Sequence, residues 1–178
     1  MPRMLRHLLP LLTTVIPLAL IATPAQADTN DPDRVPATAG HAHRAAAQRL
    51  CPVGDLSVPE SAGDGVATDW LAYGETLTVE PYADQIWAGV FLTGWNGPEG
   101  WTSTSAPSYY PAPGVPEYSL VARLGNGAYG YVGAADRTFT NTTPGYLLRV
   151  RFKVNDNTPG NGDGAFRVFL RYPCIETS

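Results

Sequence analysis

The stretch GYLLRVRFKV (Gly145–Val154), followed by NDNTPGNGDG (Asn155–Gly164) and AFRVFLRY (Ala165–Tyr172), decides how this chain folds. In the first segment Leu148, Val150, Phe152 and Val154 alternate with Arg149, Arg151 and Lys153. In the last, Phe166, Val168, Leu170 and Tyr172 take every second place, with Arg167 and Arg171 between them. A period of two is the signature of a strand with one face on a core and the other in water. The two strands are joined by ten residues with five Asp or Asn side chains, one Thr and three glycines.

Upstream, the same texture repeats in shorter pieces. Thr76–Val79, Ile86–Leu92 and Tyr118–Leu124 read as strands, and Gly125-Asn126-Gly127 is a hairpin signal returning into Ala128–Val132. Ser105–Glu117 holds four prolines and no strand pattern, so it reads as an extended loop. About eight strands with no long helical period predict an all-β protein, a jelly-roll β-sandwich. Trp70 and Trp87 lie on strand patterns and are expected in the core. Trp95 and Trp101 lie in loops, where an indole either covers the open end of a sandwich or stacks on a sugar ring. Tyr109 and Tyr110 are further rim candidates.

Residues 1–27 read as a secretory signal peptide. Arg3, Arg6 and His7 precede an apolar run from Leu8 to Ile21, and Ala25-Gln26-Ala27 supplies the small residues of a cleavage site near Ala27. A secreted product with no membrane insertion is expected. Residues 28–50 read as a tail in which 42–50 could form a short helix, and 51–178 as the folded domain. His41 and His43 fall in that tail and read as solvated rather than metal-binding. Losing Arg3 and Arg6 takes the formal charge from −4 to −6. So acidic a chain, with Lys153 its only lysine, lacks the clustered cations that nucleic acid requires. The two cysteines, Cys51 and Cys174, flank the domain, and in an oxidising compartment their default is one disulfide.

The Asn/Asp loop has the oxygen density that a calcium ion needs, six to eight ligands, but also the composition of an ordinary polar turn. No Glu closes it as in an EF-hand. An enzyme is not expected. The domain has no histidine for a triad or a zinc site, and its best loop carboxylates, Glu99 and Asp156, have no spacing that pairs them.

Five elements in order resemble the LecA-type galactophilic bacterial lectins. They are Asp69-Trp70 with Gly74; Leu77-Thr78-Val79 with Ile86-Trp87-Ala88-Gly89; Gly97-Pro98-Glu99-Gly100; Leu120–Gly125; and Phe152–Asp156 with Gly164-Ala165-Phe166. The resemblance runs from about Val58 to Arg171. It implies a jelly-roll domain in which Ca2+ bridges protein and sugar hydroxyls. The implied metal ligands are Asp156, Thr158 through its carbonyl, Asn161, and a first-loop carbonyl near Thr93. Asp163 would replace a second Asn whose place is taken by Gly162. The implied sugar contacts are Asp156 and Asn161; Trp95 or Trp101, by its loop position, would stack on the sugar. The His and Gln that contact galactose in that family are absent from Trp101–Pro107. The expectation is a secreted, calcium-assisted lectin-like domain for an unnamed glycan, which could assemble as an oligomer. The competing expectation is a secreted structural or protein-binding sandwich without a working sugar site.

Overall fold

The computed structural model describes residues 31–38 and 53–172. The signal peptide, the 42–50 helix, Cys51 and Cys174 lie outside the described residues. The fold is an antiparallel β-sandwich of eleven strands. They are β1 (Arg34–Pro36), β2 (Val53–Pro59), β3 (Val66–Leu71), β4 (Thr76–Pro81), β5 (Ile86–Trp87), β6 (Trp95–Asn96), β7 (Leu120–Leu124), β8 (Gly130–Tyr131), β9 (Arg137–Thr140), β10 (Tyr146–Val154) and β11 (Asp163–Arg171). The number exceeds the eight or so expected because β1, β5, β6 and β8 are only two or three residues long, too short to show a period. Among the described residues there is no helix, and so none long and apolar enough to cross a membrane.

The two strands that decide the fold form its two spines, one in each sheet. β10 pairs with β3 along one edge and with β1 and then β7 along the other. β8 pairs with β7 and completes that sheet. β11 pairs over its whole length with β2, from Ala165↔Pro59 to Arg171↔Val53. Its other edge is shared by β5 (Asp163↔Trp87) and β4 (Val168↔Pro81 to Arg171↔Thr78). β6 and β9 extend this second sheet beyond β5 and β4. The chain crosses repeatedly between the sheets, though β4–β6 and β7–β8 each stay within one, and the Asn/Asp loop carries it from one spine to the other.

The alternation places the core as predicted. Val150, Phe152, Val154, Phe166 and Val168 are all at most 2% exposed, and they meet Val58, Leu71, Leu77, Val79 and Leu120 between the sheets. Burying each such side chain contributes roughly 1.5–3 kcal/mol. At one point β10 shifts register against β3, and there the Thr68 hydroxyl accepts the Val150 N–H at 3.1 Å, so no ladder donor is left buried and unpaired.

Two expectations are corrected. Residues 31–38 are not tail. β1 adds to the sheet, and Asp33, wholly buried, receives Arg149 Nε at 3.0 Å, Arg123 Nη2 at 3.0 Å and Arg151 Nη2 at 2.6 Å. A composition rich in Ala, Pro and Asp says nothing of docking, because the docking here is by charge. The three arginines are the polar face of the β10–β7 pair, which read as solvated. Burial raises the Asp33 carboxyl's pKa, but the Arg151, Arg123 and Arg149 hydrogen bonds outweigh it and hold the group below its ordinary range. The second correction concerns tryptophan. Trp70 is half-buried on the outer face, with the Arg149 guanidinium 4.5 Å from its ring centroid. Trp87 is 39% exposed.

Candidate functional site

The Asn/Asp loop begins where β10 ends, and each of its polar groups has a distinct environment. Asn155 is fully buried. Its Oδ1 accepts the Ala112 N–H at 2.9 Å, and its Nδ2 donates to the carbonyls of Ala112 and Pro116, each at 3.1 Å. It pins the Pro/Tyr-rich loop to the domain and offers no oxygen to a ligand. Asp156 is 2% exposed; its Oδ1 accepts the Thr158 N–H at 2.9 Å, and its Oδ2 is buried without a hydrogen-bond partner. Thr158, Asn161 and Asp163 are exposed. Asp163 Oδ1 accepts the N–H of Gly164 at 2.7 Å. Thr93 is half-buried, with its hydroxyl donating to the Val90 carbonyl at 2.9 Å.

The expected ligands therefore separate into a buried part and an exposed part. Asp156 faces inward, out of reach of a sugar, and its carboxylate neighbour is Glu60 from the end of β2, which the sequence reading missed. Glu60 is 1% exposed. Its carboxylate accepts the N–H of Gly160 at 3.0 and 3.1 Å and that of Gly162 at 3.3 Å. Burial, above all, raises the Glu60 pKa; the two N–H groups oppose the rise and the nearby Asp156 adds to it. Nothing in Pro59-Glu60-Ser61-Ala62-Gly63 marks the Glu as buried, since Glu in a turn is ordinarily solvated. Glu99, the other carboxylate weighed for hydrolysis, is exposed on its turn, whereas Asp156 is buried.

These contacts bear on the cation implied by the family resemblance. A calcium site directs oxygens inward. Here two backbone N–H groups of the loop point at a carboxylate instead. A side chain at Gly162 would collide with the Trp87 carbonyl, so no ligand fits at that position. Among the described residues no three His, Cys, Asp or Glu side chains group together; Glu60 and Asp156 are buried, whereas the implied ligands Thr158, Asn161 and Asp163 are exposed. The donor set does not fit a calcium ion held in the family's manner.

The exposed part is organised differently. Asp163 on β11 pairs with Trp87 on β5, and Trp87 pairs with Trp95 on β6. Directly opposed residues share a face, so Asp163, Trp87 and Trp95 form one row across three strands. All three are exposed, Trp95 by 56%. Ile86 and Asn96 of the alternate row are buried, whereas Gly164 (φ +92°) departs from it: a Cβ placed there would lie 3.5 Å from Trp95 Cζ3. Asn161 joins the row at one end, where its backbone packs so closely on Gly89 (φ +72°) that no Cβ fits there. Beyond the tryptophans the hairpin tip projects Phe91 and Leu92, 86% and 85% exposed. From Gln85 to Pro98 there is no charged residue. Trp101 is held differently: its ring stacks on Tyr118 with centroids 6.4 Å apart, and it remains 36% exposed. Tyr110, which was a rim candidate, is buried beneath the exposed Tyr109.

A solved lectin domain has a similar chain path. It is described as the EclA N-terminal domain, a PllA-like lectin, and matches with a TM-score of 0.47 and 19% identity over 70% of this chain and 98% of that one. No family model and no curated protein matches the sequence. At this distance the likeness does not carry the neighbour's binding across.

Proposed function

We propose that this protein is a secreted, lectin-like domain that binds a glycan on the row Asp163–Trp87–Trp95. The observation that carries the reading is the row itself: two solvent-facing indoles beside a carboxylate, with exposed Asn161 two residues before Asp163 and packed on Gly89. The C–H faces of a pyranose stack on indole, and carboxylate and amide oxygens accept hydrogen bonds from its hydroxyls. Each indole contact is worth roughly 0.5–1.5 kcal/mol beyond the area it buries. Arg167, on the same strand as Asp163, is paired with Asp84 at 2.9 Å. The reading favours a neutral glycan, since an acidic sugar on the row would meet the exposed Asp163 carboxylate. Export follows from the signal-peptide reading, and a Cys51–Cys174 bridge belongs to the same proposal.

The test is a glycan array run with the wild type and with Trp95→Ala and Trp87→Ala. Binding to neutral glycans that both variants abolish, at unchanged melting temperature, is the expected result. A blank array, or binding indifferent to both substitutions, sinks the proposal. A protein partner recovered by co-purification and lost with the same two variants would instead support the protein-binding reading, which the bare apolar tip at Phe91 and Leu92 favours.

A further inference from the structure

We propose that the Asn155–Gly164 loop is organised by the Glu60 carboxylate, in the place where the resembled lectins use a cation, and that the sugar-facing row is therefore preformed without calcium. The direction of the backbone dipoles is the first argument. Successive N–H groups turned toward one point make a concavity for negative charge, and the N–H groups of Gly160 and Gly162 both turn toward Glu60. A loop wrapped on a cation would turn its carbonyls there.

The second argument is steric. Gly162 has the Trp87 carbonyl where a side chain would begin, so the loop lies flat against β5 and has no room for the missing ligand. The third is occupancy. The Asp163 Oδ1 and the Asp156 Oδ1 each already accept a bond within their own turns, and the Asp156 Oδ2, which has no partner, is buried near Glu60 rather than open at the surface. Glu60 is itself fixed, because its own N–H donates to the Gly164 carbonyl at 3.0 Å at the start of β11. The carboxylate thus ties the end of β2 to the loop and to the strand that carries Asp163. Glu60 is a positioning residue: it touches no ligand and acts through the loop.

The inference stands apart from the sugar reading, and its test keeps them apart. The full mature chain is melted in excess chelator and in about 10 mM calcium, well above the weakest dissociation constants of extracellular calcium modules. The two melting temperatures should agree within about 1 °C, because a ligand that binds only the native state raises the midpoint. Amide exchange is then followed at Gly160 and Gly162 in the wild type, Glu60→Ala and Glu60→Gln. The alanine variant should lose protection at both amides by about tenfold or more while the β10 and β7 amides stay protected. The glutamine variant, which keeps one acceptor, should retain part of it. A midpoint that climbs by several degrees with calcium overturns the proposal, as does unchanged protection in the alanine variant. Should Glu60→Ala not fold, the calcium melt of the wild type and the glutamine variant still decide. Glycan binding is scored separately, so a blank array leaves this result standing.

Discussion

Asp33 shows how much one buried charge can hold. Three guanidiniums converge on it, and with Arg151 it makes a two-pronged pair. Removing one member of a buried ion cluster leaves the others uncompensated, at a cost of about 3–5 kcal/mol in fully buried cases. The three arginines retain 13–27% exposure, so Asp33→Asn should cost at or below about 3 kcal/mol in urea unfolding. The pH dependence follows from the depressed carboxyl. Its stabilisation is complete above the unfolded value of about 3.9 and is lost as pH falls through the folded value. Wild type should therefore lose stability below about pH 4 more steeply than Asp33→Asn; parallel pH profiles would contradict this origin. The residue scale is also where the sequence was least legible. Asp33 and Glu60 look like solvated acids in Pro-rich text, and only the fold reveals the arginines and the N–H groups that they meet. Asn155, by contrast, looked like a ligand and is a strut.

Among the elements, β10 and β11 were readable almost residue by residue, because each alternates apolar with polar side chains along most of its length. The β5–β6 hairpin was not. Ile86–Leu92 reads as one apolar strand, yet only Ile86 and Trp87 are strand, and the remainder turns outward as a tip. Apolar content cannot distinguish a buried strand from an exposed binding edge. The tip also stores strain: Leu92 has φ +73°, a region that costs a side-chain-bearing residue about 1–2 kcal/mol. Leu92→Gly removes that strain and loses almost no packing at 85% exposure, but it adds freedom to the unfolded chain. A net gain of about 0.5–1 kcal/mol is expected, measured as a higher denaturant midpoint with an unchanged slope. In the core the direction reverses. Phe166 is fully buried, and Phe166→Ala should cost about 3–5 kcal/mol and expose a cavity to dye binding.

For the molecule as a whole, the sandwich was legible in the alternation and the turns, whereas the order of strands across the sheets was not, since pairing partners leave no local trace. The pairing bears on the cysteines, although both lie outside the described residues. Val53 is opposite Arg171, so the chain leaves the sandwich toward Cys51 and toward Cys174 at adjacent points. In the sequence, Cys51 precedes Val53 by two residues and Cys174 follows Arg171 by three. Mature protein denatured without reductant should show no free thiol, and reduction should lower its stability by about 2–4 kcal/mol. Two titratable thiols would rule the bridge out. The same ladder also sets an orientation. β11 starts in the row with Trp87 and Trp95 and runs about 27 Å to Arg171, beside the point where β2 begins. Any stalk, surface or neighbouring module attached beyond Tyr172 would hold the domain by the far end of β11, with the tryptophans outward like the head of a pin.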